Sequence, residues 1–119
     1  MINHEKQEDT MEGLELLCFK LISAAGTARS CNIEAIQEAK KGNLKKAEEL
    51  MKEGKEQFST AHDVHNSLLK EETNGSVLLM HAEDQLMSAE MFEILAKEFI
   101  NTYSKMLELE EKVNKNSVV

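Results

Sequence analysis

The sequence predicts an all-α chain folded as an antiparallel three-helix bundle, and three observations carry the prediction. Composition comes first: there is no Pro and no Trp, aromatics are 4%, and Ala, Leu, Glu, Lys and Met are abundant, the profile of long helices rather than strands. Two polar turn signals, Lys40-Lys41-Gly42-Asn43 and Glu71-Glu72-Thr73-Asn74-Gly75-Ser76, then divide the chain into three parts. Within each part apolar residues recur three and four apart, the spacing of one helix face. At 119 residues a single domain with one core is expected.

Met1 to Asp9 reads as a frayed polar lead. The first helix is expected from Thr10 to about Lys41, with Met11, Leu14, Cys18, Leu21, Ala25 and Ala28 on one face. Its middle, Ser23-Ala24-Ala25-Gly26-Thr27-Ala28, is all small residues, which favours close approach of another helix, since an interior Gly otherwise costs about 1 kcal/mol. Arg29, the only Arg, reads as a surface charge or as a contact for an anion, the surface reading being the safer. Gly42 closes this helix and Asn43 is placed to cap the next.

The second helix is expected from about Leu44 to Glu72, with a bundle seam of Leu44, Ala47, Met51, Gly54, Phe58, Ala61, His65 and Leu68. Ser76 or Asn74 is available as the cap of the third. That helix is expected from Val77 to about Lys112, so the domain spans 10–112 and 113–119 reads as a frayed tail.

The third helix carries the residues of most chemical interest. At roughly 100° per residue, Asp84 falls about 60° from His81, and Val77, Leu95, Phe99 and Met106 lie within about 40° of His81, so an ionisable pair sits in an apolar sector. Burying an unpaired carboxylate costs several kcal/mol, so Asp84 should be paired, bound to a cation, protonated, or lining a wet groove. A histidine in such a place has two readings, a packed core residue or a functional one, and the packed one is the commoner.

Met80, Met87, Met91 and Ile94 extend the apolar arc on one side, and Leu78, Ala89, Ala96, Ile100 and Leu107 on the other. Only the arc with Glu83, Glu90, Glu93, Lys97, Asn101, Ser104 and Glu108 is polar throughout. Two partner helices cannot cover so wide an apolar surface, which predicts self-association through the third helix.

Charge and cysteines narrow the classes of function. With 22 acidic against 14 basic residues and a formal charge of -8, the chain lacks the electrostatic footprint for nucleic acid or anionic lipid. Cys18 and Cys31, about 20 Å apart along one helix, cannot bridge within it and read as reduced, buried thiols, which suits the cytoplasm. No apolar run long enough to span a membrane occurs, and the polar start is no signal peptide. His62 and His65 share the i,i+3 spacing of zinc ligands but have no third close ligand, a weak signal. No Gly-rich phosphate loop, Cys-x-x-Cys pair or Ser/His/Asp order is present.

Several segments nonetheless match a pattern. Ala25-Gly26-Thr27-Ala28-Arg29-Ser30, Glu34-Ala35-Ile36, Lys41-Gly42-Asn43-Leu44 with Ala47, Ala61-His62, and above all Met80-His81-Ala82-Glu83-Asp84-Gln85-Leu86-Met87 resemble the lactose/cellobiose-type IIA component of the phosphoenolpyruvate-dependent sugar phosphotransferase system, over roughly Gly13 to Met106. The resemblance implies a three-helix bundle assembling into a homotrimer. It implies that His81 accepts phosphoryl from the histidine-containing phosphocarrier protein and passes it to a cysteine of a IIB component, for uptake of a disaccharide. It further implies that Asp84 meets its symmetry mates on the trimer axis around a divalent cation, Mg²⁺ by donor chemistry.

The sequence departs from the family pattern at three places: Glu83 stands for a glutamine, Gln85 for a common histidine, and Thr27 for a frequent acidic residue. Glu83 is expected about 160° around the helix from His81, on the polar arc. A different class of function stands beside the carrier reading: a non-catalytic helical scaffold in which His81 and Asp84 only specify register.

Overall fold

The computed structural model describes residues 4–70 and 76–117, with side chains described from 13 to 70 and from 76 to 116. It has three helices, α1 His4–Lys40, α2 Leu44–Lys70 and α3 Val77–Ser117, arranged as an antiparallel bundle 89 Å long and 19 by 17 Å across. No strand occurs among the described residues. The expected all-α bundle is what forms.

Two boundaries differ from the sequence reading. The helix α1 begins at His4, inside the stretch read as a frayed lead, and α3 continues to Ser117, through most of the stretch read as a frayed tail. Neither stretch contains Pro or Gly, and once a helix is nucleated each added residue gains a backbone hydrogen bond, so polar composition alone does not end it. The expected α2 end at Glu72 and the turn over Glu71–Gly75 lie outside the described residues.

The turn between α1 and α2 is built by backbone geometry. Gly42 adopts φ 92°, the left-handed region open to glycine at little cost. Its amide donates to Ala39 O at 3.0 Å and that of Asn43 to Glu38 O at 2.9 Å, the paired bonds of a Schellman ending. The carbonyl of Asn43 starts α2 by accepting from Ala47 N at 3.0 Å. Its side chain turns back instead, Nδ2 donating to Glu38 Oε2 at 2.8 Å, so the expected side-chain cap is a brace between helices. At the head of α3, Ser76 is the cap, its Oγ accepting from Leu79 N at 3.0 Å.

Helix α1 packs along both others, and α2 and α3 meet over a shorter stretch. The core is alanine-rich: Ala24, Ala25, Ala28, Ala35, Ala39, Ala47, Ala61, Ala82, Ala89 and Ala96 are buried, and Leu21 and Asn32 are the largest side chains that are fully so. Small residues let helix backbones approach, as the Ser23–Ala28 stretch led one to expect. The close glycine is Gly54 rather than Gly26: a β-carbon at 54 would lie 3.1 Å from Asn32 Oδ1 and 3.3 Å from Ala28 O, whereas one at 26 meets nothing within 4 Å. The predicted α2 seam holds, with Ala47, Gly54, Ala61 and Leu68 buried and the alternate members half-buried.

Candidate functional site

The two flanks of the α3 apolar arc have opposite fates. Ala89 and Ala96 are buried and Leu78, Ile100 and Leu107 half-buried inside the bundle, whereas Met80, Met87, Met91 and Ile94 point outward, with Val77 80% exposed at the head of the helix. An outward apolar stripe therefore runs along α3. His81 and Asp84 lie on it, one helical turn apart and both exposed.

The ring of His81 is consequently open to a partner. Asp84 stands near the middle of the stripe, between Met80 and Met87 in the sequence and about 40° and 60° from them around the helix. Neither side chain makes a hydrogen bond or ion pair among the described residues. A carboxylate is an oxygen donor of the kind a hard cation takes, and Asp84 is a single one: no group of three metal-binding side chains occurs around it among the described residues.

Glu83 lies on the polar arc, away from His81, but half-buried there rather than fully exposed. Its Oε2 lies 3.7 Å from His65 Nε2, so it faces the α2–α3 seam, and its charge reaches Cys18 on α1. A wheel drawn for one helix shows direction only; the tilt of α2 across α3 decides which border residue is covered. Burial first, then Glu15 and Glu83, push the Cys18 thiol up, and burial with Glu53 and Glu34 does the same for Cys31. These are inert, reduced positions, as expected.

His62 and His65 do not converge. The Nδ1 of His62 is 3.3 Å from Asn66 Nδ2 on the outer face, while His65 turns in toward Glu83, and no group of three metal-binding side chains occurs among the described residues. Arg29 is also not a free surface charge. It is half-buried, and its Nη1 donates to Ser88 Oγ at 3.4 Å, joining α1 to α3 two turns beyond His81. Sequence reasoning missed Ser88, although its place seven residues after His81 sets it on the same line of the helix.

The model of the family "PTS system, Lactose/Cellobiose specific IIA subunit" matches residues 16–104, most of the chain and all of the stretch that builds this face. The chain belongs to this family. The IIA subunit is 37% identical over 94 residues to the oligo-beta-mannoside-specific EIIA component of Bacillus subtilis, covering 75% of this chain and 86% of that one. It is 35% identical over 97 residues to the lactose-specific EIIA component of Staphylococcus epidermidis, covering 77% and 93%. The fold matches the crystal structure of the cellobiose-specific enzyme IIA from Bacillus anthracis with a TM-score of 0.77 at 41% identity, over 80% of this IIA chain and 92% of that one. Among the described residues no helix of this IIA subunit is long and apolar enough to cross a membrane.

Proposed function

We propose that this IIA subunit is a cytoplasmic phosphocarrier in disaccharide uptake, with His81 as the residue that holds the phosphoryl group. The observation that carries the reading is the outward position of His81 on an apolar stripe, one turn from Asp84. A neutral imidazole nitrogen is a competent nucleophile near pH 7, and phosphoryl transfer asks chiefly for in-line approach and charge neutralisation. A lone pair on the His81 ring attacks phosphorus on the phosphohistidine of the donor carrier protein; the new P–N bond forms as the donor's breaks. A cysteine thiolate of the IIB component then attacks the same phosphorus, and the His81 P–N bond breaks. The sugar need never touch this subunit.

The stripe also supports a homotrimer in which α3 lies at the subunit interface, covering apolar side chains that the single chain leaves in water. Asp84 from three subunits would hold a divalent cation, Mg²⁺ by preference, which would offset the repulsion of converging carboxylates.

The test is incubation with phosphoenolpyruvate, enzyme I and the histidine-containing carrier protein. An acid-labile adduct with the mass of one phosphoryl group is expected, absent in His81→Ala, with that variant retaining its helical content. An adduct that survives the substitution, or none in the wild type, would defeat the carrier reading.

A further inference from the structure

Arg29 is the only arginine in a chain with 22 acidic residues, yet it has no carboxylate partner among the described residues. The carboxylate contacts there are made by Lys41, Lys46, Lys97 and His65. The Arg29 guanidinium, half-buried between α1 and α3, instead makes one bond of 3.4 Å to Ser88 Oγ. A guanidinium carries five N–H donors in a planar fork that matches an oxyanion, so a single hydroxyl uses little of it.

Ser88 belongs to a polar row. With His81 at zero, Gln85 falls about 40° one way around α3 and Ser88 about 20° the other, and both are half-buried. Asp84, one turn back from Ser88, is turned about 40° away from it and does not pair with Arg29. Helices α1 and α3 run in the same direction in this bundle, and helical side chains lean toward the N-terminus of their own helix, so Arg29 leans toward the end that holds His81. On the α1 side, a β-carbon at Gly26, one turn before Arg29, would meet nothing within 4 Å, so that wall is open.

We propose that Arg29, Ser88 and Gln85 form a slot for a phosphate-type oxyanion, centred two turns, or about 10 Å of rise, from His81. Arg29 supplies the charge and paired N–H donors. Ser88 Oγ accepts from Arg29 and so keeps its own hydrogen for the anion, and the Gln85 amide offers a further donor. A phosphate group has enough oxygens to accept from a guanidinium, a hydroxyl and an amide together, where a carboxylate has two. Two sources carry this chemistry: inorganic phosphate in solution, and the phosphoryl group that the proposed function sets on His81. Only the second rests on that function.

Because the chain has one arginine, its side-chain Nε–Hε resonance is a single signal that reads the slot in the full protein. Inorganic phosphate, titrated at constant ionic strength against chloride, is expected to shift it saturably. Ser88→Ala should weaken that binding about tenfold, through loss of one hydrogen bond to a charged group. Phosphorylating His81 with phosphoenolpyruvate and the general transfer proteins then identifies the source. A signal that moves on phosphorylation and no longer answers to added phosphate means that the slot holds the His81 phosphoryl group. One that still answers to phosphate means a separate anion site. A signal that responds to neither, a response to chloride as large as that to phosphate, or a titration unchanged by Ser88→Ala overturns the slot. If His81 takes no phosphoryl group while phosphate still moves the signal, the carrier reading falls and the slot stands.

Discussion

The carboxylate of Glu83 stands 3.7 Å from the imidazole Nε2 of His65, a contact between α2 and α3 that is an ion pair only when the imidazole is protonated. The distance is too long for a hydrogen bond, and Nε2 is left buried without a partner. The Glu83 side chain keeps 43% of its exposure, so screening limits the pair to less than about 1 kcal/mol. Glu83→Gln should therefore shift the denaturation free energy by under about 1 kcal/mol and leave phosphorylation of His81 unchanged, as equilibrium urea unfolding and the transfer assay would show. A large loss of transfer would mean that Glu83 serves the site rather than the seam.

Two glycines on neighbouring helices should answer opposite ways to the same change. Gly26→Ala adds a methyl that meets nothing within 4 Å, in a helix interior, and should stabilise by up to about 1 kcal/mol. Gly54→Ala gains the same propensity but forces its methyl to 3.1 Å from Cys31 Cβ and Asn32 Oδ1, with backbone Ala28 O at 3.3 Å. Overpacking of that kind costs typically about 1–3 kcal/mol, so a net loss of about 1 kcal/mol is expected. Thermal or denaturant midpoints of the two variants decide it.

Acid should weaken the α1–α2 turn. The Asn43 amide, foremost, holds the Glu38 carboxyl below the usual carboxylate range; burial, the next largest effect, opposes it, and Lys41 and then Lys46 lower it further. The folded chain thus binds that proton less readily than the unfolded one. The contribution is fully present above the unfolded carboxylate pKa and is lost as pH falls through the lower folded value. Asn43→Ala should lose less stability than the wild type on going from about pH 6 to about pH 3, because the other carboxylates are common to both. Parallel pH slopes for the two proteins would remove Glu38 from the account.

Asp84→Leu separates assembly from the cation. If three carboxylates converge in the trimer, replacing them by apolar side chains of similar size should keep or tighten it and abolish any response to chelators. Dissociation into monomers on that substitution would contradict the repulsion on which the proposed cation site rests. Sedimentation with and without a chelator reads both.

Much of this protein was written in its one-dimensional pattern. Three helices, their order, the turn at Gly42, the cap at Ser76 and the α2 seam follow from spacing and from Gly, Asn and Ser chemistry, which act over a few residues and need no tertiary contact. The segment from Met80 to Met87 pointed to His81 and Asp84 by the same local logic. Tertiary packing decided which side of the α3 arc is covered, since an apolar residue is drawn to any dry surface and the wheel does not say which neighbour supplies it. Packing alone turned Glu83 toward His65, joined Arg29 to Ser88, set Gly54 rather than Gly26 against a neighbouring helix, and left His81 facing out: each depends on how far one helix is tilted and shifted along another, a quantity no single helix encodes.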